Sequence, residues 1–537
     1  MFKNISQQRL IFLSSLAFTA FYNFSFFKNF IATYDTTPQS LGYALCSAVI
    51  LCAFLTLFFT LLSSRYTSKA VLIFAFIVSA FTAYFMDNYG VVIDSEMIRN
   101  VTQTNFNESA DLFSARLVIY VAVLGVLPAV LVYRAPVSYR GGRGEIVAKL
   151  KVAAICIVLI VVLMLSLSKF YASFFREHKS LRYYTNPTYW IYSTANFAAK
   201  SAKKTPSVLK RIGTDATINE AATEPKELVI LVVGESARAD HFALNGYARP
   251  TDPFLSAQSG VVSFTNVSSC GTSTAQSVPC MFSLLNRDEF SVAKAGEVQN
   301  VLDVLNTTKD VSILWRDNNS DSKGVALRTQ YEDFKTPQNN KICDVECRDE
   351  GMLEGLDQFV AANAGRDILI VLHQMGNHGP AYFKRYPKKF EKFTPVCESN
   401  QLEQCSTEEI TNAYDNAIVY TDYFLSRVID FLKPYAKTHE TAMIYMSDHG
   451  ESLGENGVYL HGMPYMFAPK AQRHIASAIW LGDGKMREKY DLHALKSHKD
   501  DAFSHDNLFH TLLGIFEVKT EIYRKDMDML YDARLHQ

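Results

Sequence analysis

The chain has 537 residues, with 48% apolar and 20% charged positions, a mean hydropathy of +0.01 and a net charge of −1. That length calls for more than one domain, and that balance excludes a disordered chain, a coiled coil, a Cys-dense mini-protein and a strongly basic nucleic-acid binder. The average hides a split. Residues 1–170 carry 13 Lys/Arg and 7 Asp/Glu, the remainder carries 40 and 47, and all 13 histidines lie in the second part.

Five apolar runs open the chain, at about 10–33, 41–62, 70–88, 117–134 and 152–168. Most reach the roughly 20 residues that cross a bilayer as helix. The first is too long for a signal-peptide core, lacks a small-residue cleavage site and reads as a retained span. Positive charge gathers at Lys3 and Arg9, at Arg65 and Lys69, and between Arg134 and Lys151, whereas the loop after the third run holds Asp87, Asp94, Glu96, Glu108 and Asp111. The positive-inside bias therefore predicts a cytoplasmic N-terminus and an exported domain after residue 170. The aromatic stretch from Phe170 to Tyr192 reads as helix and loop at the membrane–water interface.

Cys46, Cys52 and Cys156 fall inside the apolar runs; the other six form close pairs, Cys270/Cys280, Cys343/Cys347 and Cys397/Cys405. In an exported domain these read as three disulfides. The domain boundaries expected are 1–169 for the membrane part, 170–224 for interfacial helices and linker, and 225–537 for the soluble part.

From residue 225 short apolar runs alternate with helical stretches. Candidate strands are 227–233, 311–315, 368–373, 442–446 and 476–481, a pattern that predicts an α/β domain with a mostly parallel central sheet covered by helices. Ligands of such sheets collect at the carboxyl ends of strands. Here those ends carry Glu235-Ser236, Asp317-Asn318-Asn319 with Lys323, Asn377-His378, and Asp448-His449-Gly450-Glu451. Clustered Glu, Asp and His suit a zinc-type or manganese-type ion. The segment from Cys270 to Cys280 offers four hydroxyls, Thr272, Ser273, Thr274 and Ser277, before an apolar helix. A hydroxyl at a helix N-terminus faces free N–H groups that favour phosphate, and spacing does not choose among the four.

The motifs VVGESARADHF, SSCGTSTAQSVPCMFS, WRDNNSDSKG, LHQMGNHGPAYFKRY and MSDHGESLGENGVYLHGMP resemble those of the lipid A phosphoethanolamine transferases of Gram-negative inner membranes. These belong to the alkaline phosphatase/sulfatase superfamily, and the similarity is strongest to the mobile colistin-resistance branch. The resemblance spans essentially the whole chain. It implies five transmembrane helices plus an alkaline-phosphatase-like periplasmic domain, with Thr274 as nucleophile and Glu235, Thr274, Asp448 and His449 as zinc ligands. It further implies His378 and His461 around the phosphate or a second, more weakly held zinc, Asn319 and Lys323 on the phosphoethanolamine oxygens, and Asn100, Thr104 and Glu108 near the donor headgroup. Phosphatidylethanolamine is the implied donor and lipid A the implied acceptor. The implied product resists polymyxins, and the implied protein is an inner-membrane monomer without nucleic-acid partners. Cys343 and Cys347 are only four apart, closer than the pairing the resemblance implies. A sulfatase is disfavoured because neither Cys270 nor Cys280 begins the x-Pro-x-Arg pattern that formylglycine requires. Transfer to core sugars is the alternative acceptor, and a non-catalytic zinc-binding receptor the alternative class.

Overall fold

The computed structural model describes residues 4–34, 37–103, 110–168, 170–171, 174, 178–202, 209–218 and 224–535. Two compact units result: residues 1–99 with 113–203, and residues 100–112 with 204–537.

The first unit is helical. Helices α3 (Pro38–Leu62), α4 (Ser68–Tyr89), α5 (Ala115–Arg134) and α6 (Gly142–Ser166) are each long and apolar enough to cross a membrane. The first apolar run is not one straight helix. It forms α1 (Gln7–Phe21) and α2 (Phe24–Tyr34), bent by 52°. A break in a helix leaves backbone groups without partners, and polar side chains take them up here. Asn23 at the break donates to the Phe18 carbonyl at 2.9 Å and the Asn186 carbonyl at 2.7 Å, and accepts the Asn186 N–H at 2.8 Å. Asp87 accepts the N–H of Ser25 at 3.1 Å and its hydroxyl at 2.5 Å, which caps α2. In α5, Pro128 has no N–H to offer the Leu124 carbonyl. A π-helical stretch, Val121–Val126, precedes it, and the Tyr22 hydroxyl donates to that Leu124 carbonyl instead.

The aromatic stretch packs onto these helices. Tyr171, Phe174 and Tyr184 join a buried cluster with Phe26 and Phe30, and Trp190 of α7 (Thr188–Ala202) donates to Ser79 Oγ at 3.2 Å. Tyr192 stays 63% exposed.

The second unit holds an eight-stranded sheet made of β1 (Lys226–Gly234), β2 (Val261–Ser268), β3 (Val311–Asp317), β4 (Gln330–Asp333), β5 (Asp367–His373), β6 (His439–Ser447), β7 (His474–Leu481) and β8 (Phe503–Ser504). Their order across the sheet is β8-β2-β7-β6-β1-β5-β3-β4. All pairings are parallel except those that β7 makes with β2 and β6. Successive residues point to opposite faces, so Val229, Leu231 and Val233 enter one core while Leu228, Ile230 and Val232 enter the other. The first core is covered by α8 (Thr274–Met281) and the helix Asp506–Ile515; the second is covered by the long helix α9 (Thr407–Leu432).

Registry decides where the chemistry falls. Gly234 pairs with Ser447, Val233 with His373, and Asp317 with His373. The four central strands β6, β1, β5 and β3 therefore end almost level, and the residues that follow them share one edge of the sheet. The three disulfides Cys270–Cys280, Cys343–Cys347 and Cys397–Cys405 lie in this unit, and the three cysteines of the helical unit are free.

Candidate active site and metal centre

The turn after β1 is wound tightly. Gly234 has no room for a Cβ against the Tyr445 ring, and Ser236 takes a left-handed φ of 56°, a costly conformation outside glycine. The Tyr414 hydroxyl pays for part of it by donating to the Ser236 carbonyl at 2.6 Å, and Asp448 Oδ1 accepts the Ser236 N–H at 3.2 Å. This turn aims the Glu235 side chain across the strand ends. Ser236 Oγ donates to Glu235 Oε1 at 2.7 Å, while Thr274 Oγ1 and Asn319 Nδ2 donate to Oε2 at 3.0 and 2.9 Å.

Thr274 opens α8, after Ser273 in extended backbone. Its N–H lies at the helix start, among groups with no acceptor within the helix. Of the four hydroxyls, Thr272 is spent on the Met463 carbonyl at 2.6 Å and Ser277 Oγ is buried without a partner, whereas Thr274 Oγ1 also lies 3.5 Å from His449 Nε2. The Thr274 turn is anchored by the Cys270–Cys280 bridge and by His505. The buried His505 ring accepts the Cys270 N–H through Nδ1 at 3.0 Å and donates through Nε2 to the Ser447 carbonyl at 2.9 Å. Burial first, then the neighbouring His449, push the His505 ring down to about 4, against the Ser447 hydrogen bond, which pulls it up.

Glu235, Asp448 and His449 are fully buried, and each offers a ligand atom within 4.8 Å of the others. His449 Nδ1 faces the Gly450 carbonyl at 2.9 Å, so it carries the proton and turns the Nε2 lone pair toward Glu235 Oε1 and Asp448 Oδ2, each 3.3 Å away. Asp448 Oδ2 is buried and accepts no hydrogen bond. Two carboxylates and a lone pair converging in a dry site repel one another unless a cation sits among them. Their electrostatics say the same. Burial and the nearby Glu235 hold the Asp448 carboxyl well above its usual range. Burial alone would raise Glu235 as well, but His449, His378 and His461 bring it below the usual range. Oxygen and nitrogen donors in this number fit a zinc-type ion.

The other sequence candidates divide. The His461 ring lies 4.2 Å from the His449 ring, tilted to it, and 5.5 Å from the His378 ring, edge-on, which forms a row of three imidazoles. His378 Nδ1 is buried without a partner, and its carbonyl accepts Arg385 Nε at 2.6 Å. Asn319 spends both amide hydrogens, on Glu235 and on the Gln374 carbonyl at 2.7 Å. Lys323, at a φ of 49°, donates to the Ser320 carbonyl at 3.1 Å. Asn100 sits in the helix Ser95–Gln103 and is half-buried, while Thr104 and Glu108 lie outside the described residues.

Three residues of the site escaped the sequence reading of roles. Glu451 is buried and bridges His461 Nδ1 at 2.7 Å to the Tyr382 hydroxyl at 2.6 Å; its place three residues after Asp448 was the available signal. Asp317 gathers His373 Nδ1 at 2.8 Å, Trp315 Nε1 at 3.0 Å and the N–H groups of Asn319 and Asp321 at 3.0 and 3.1 Å, and so shapes the Asn319–Lys323 turn. Arg385 joins the His378 carbonyl to Asp111, 2.7 Å away, and to Glu346.

Comparison with known proteins agrees with this geometry. The sulfatase family profile matches residues 227–518, and a profile described as phosphoethanolamine transferase EptA/EptB matches residues 51–202. Phosphatidylethanolamine transferase Mcr-1 of Escherichia coli is 46% identical over 533 residues, covering 97% of this chain and 96% of its own. Mcr-2 of the same organism is 46% identical over 516 residues, or 94% of both chains. The structure of the integral membrane lipooligosaccharide phosphoethanolamine transferase A from Neisseria meningitidis superposes with a TM-score of 0.95 at 32% identity, covering 99% of this chain and 100% of that one.

Proposed function

The chain belongs to the phosphoethanolamine transferase family, and from that premise we propose that it carries phosphoethanolamine from phosphatidylethanolamine to lipid A on Thr274. The observation that carries this reading is the Thr274 hydroxyl, set at a helix N-terminus with Glu235 Oε2 at 3.0 Å and His449 Nε2 at 3.5 Å.

Glu235, Asp448, His449 and the Thr274 hydroxyl would hold a zinc ion, which supplies Lewis-acid charge and a lowered hydroxyl pKa when bound. The Thr274 hydroxyl, oriented by Glu235, releases its proton to water, and Oγ attacks the donor phosphorus. The phosphorus–oxygen bond to diacylglycerol breaks. His461, aligned by Glu451 through Nδ1, hands a proton from its other nitrogen to the leaving oxygen. His378 and Lys323 balance the charge on the phosphate oxygens, together with the free N–H groups at the start of α8. A phosphate oxygen of lipid A then attacks the same phosphorus, and Thr274 Oγ leaves and regains its proton.

The transferred group brings an ammonium to lipid A, which lowers its net negative charge and weakens the pull on cationic polymyxins such as colistin. Three disulfides support an oxidising, periplasmic side for the catalytic unit and an inner-membrane location for the helical one. Expression in a polymyxin-sensitive Gram-negative host tests the reading: lipid A should gain ~123 Da, the mass of one phosphoethanolamine esterified at phosphate. The same gain on core-sugar fragments with unchanged lipid A would move the acceptor, and no gain anywhere would overturn the transfer.

A further inference from the structure

The loop after His461 carries a cationic cluster to which the transfer chemistry gives no work. The Arg287 guanidinium lies 3.6 Å from the centre of the Tyr465 ring, and Arg473 lies 5.2 Å from it. Both arginines keep a buried Nε without a hydrogen-bond partner, and they differ in what else they meet. Arg287 donates to the exposed Asp288 at 2.9 Å, and its backbone N–H is held by Asp506 Oδ1 at 2.9 Å. Arg473 is half-buried, its Nε is enclosed without a hydrogen-bond partner, and among the described residues no carboxylate or carbonyl meets its guanidinium. The guanidinium lies over the ring of Tyr465. A guanidinium keeps its charge and five N–H donors at any working pH; here Nε is dried without a partner while the two terminal nitrogens reach solvent, so an anion arriving from solvent can take them.

Its place in the molecule narrows the anion. The Arg473 carbonyl accepts the Ser269 N–H at 2.8 Å, Gly462 N–H donates to the Thr272 carbonyl at 2.7 Å, and Thr272 Oγ1 donates to the Met463 carbonyl. The loop is thus fastened at both ends to the segment that presents Thr274. Met466, next to Tyr465, is 82% exposed, so charge and an apolar tip stand side by side. The donor phospholipid has a single phosphate, and that phosphate is consumed at Thr274. A second anion site beside the nucleophile has a use only for a substrate with a second phosphate.

We propose that Arg473, stacked on Tyr465 and backed by Arg287, binds a second phosphate monoester of the glycolipid acceptor while its first phosphate reacts. This rests on the transfer proposed above and names the residues that select its acceptor. In the step served, an oxygen of the first acceptor phosphate forms a bond to the phosphoethanolamine phosphorus. The Thr274 Oγ–phosphorus bond breaks with its electron pair returning to Oγ, and the proton given up by the acceptor phosphate is taken by Thr274. Arg473 touches none of the bonds that change.

The test uses the full chain in lipid nanodiscs and follows the two half-reactions separately. Loading is read as the mass gain of the protein on phosphatidylethanolamine, and discharge as the loss of that mass on acceptors with two phosphates or one. Arg473→Ala should load within about twofold of the wild-type rate, yet need about tenfold more of the two-phosphate acceptor for discharge, the size of a lost charge-assisted contact. Arg473→Lys should recover part of that loss, and on the one-phosphate acceptor wild type and Arg473→Ala should agree within about twofold. Equal slowing of loading and discharge would make Arg473 merely structural and overturn the proposal, as would an equal loss on both acceptors or no loss at all. A wild-type chain that never loads would overturn the transfer reading itself, an outcome that no behaviour of the Arg473 variants imitates.

Discussion

Thr274 and Glu235 meet through one oxygen, with the threonine hydroxyl 3.0 Å from Glu235 Oε2. Thirty-nine residues separate them in sequence, and one comes from a helix start while the other follows a central strand. The contact ties the hydroxyl proposed to attack to a carboxylate proposed to bind the ion.

Removing that atom should stop the chemistry and leave the fold. Thr274→Ala is expected to lose about a thousandfold or more of transfer and to show no ~123 Da adduct by intact mass after incubation with phosphatidylethanolamine, whereas Thr274→Ser keeps a detectable adduct. A full adduct on Thr274→Ala would place the nucleophile on another hydroxyl.

Asn319 separates two readings of its amide. The hydrogen bonds to Glu235 Oε2 and the Gln374 carbonyl use both of its amide hydrogens, so the role expected of it is to hold the carboxylate that would bind the ion. Asn319→Ala should weaken zinc retention by about 10–100-fold, as losses of groups that orient ligands do. Chelator competition measures this without any substrate. Unchanged retention with a raised donor KM would return Asn319 to the phosphate oxygens.

Asp111 is the buried counter-charge of Arg385 and Lys384, at 2.7 and 2.5 Å. Asp111→Ala takes the carboxylate from Lys384 and leaves Glu346 as the remaining carboxylate on Arg385, and breaking a buried pair from one side costs about 3–5 kcal/mol. Hydrogen exchange should show residues 384–386 opening in that variant. Protection equal to wild type would mean that the pair holds nothing in place.

Asp317 gives the fold an acid limit. Burial would raise its carboxyl, but His373 and then Trp315 hold it down to about 2. A carboxyl lowered in the folded state stabilises above its unfolded value near 4, and that stability disappears as pH falls through about 2. The contribution is about 2 kcal/mol at neutral pH. Trp315 donates to this carboxylate, so tryptophan fluorescence between pH 5 and 2 should report a loss in the wild type that Asp317→Asn does not share.

Much of this was legible in the sequence, for reasons that can be named. All five apolar runs of the soluble unit are strands, since buried parallel strands are apolar without interruption and helices separate them. β2, with the sequence VVSFTNVS, hid because its Ser, Thr and Asn positions break that run; it lies between β7 and β8, where part of it meets solvent. The bend at Asn23 was invisible because its cause, Asn186, lies 163 residues away. The row of imidazoles and the fastening of Arg473 depend likewise on loops meeting across the sheet edge, and no local pattern records that. Glu451 differs, because its motif was in view and only its two partners were missing.

The Cys270–Cys280 bridge spans ten residues and encloses Thr274, whereas Asp448 and His449 come far later in the chain. During synthesis the clamp around Thr274 can therefore close while Asp448 and His449 are still unmade. A chain cut short before β6 would carry Glu235 and the clamped Thr274 turn without Asp448, His449 or the His505 anchor.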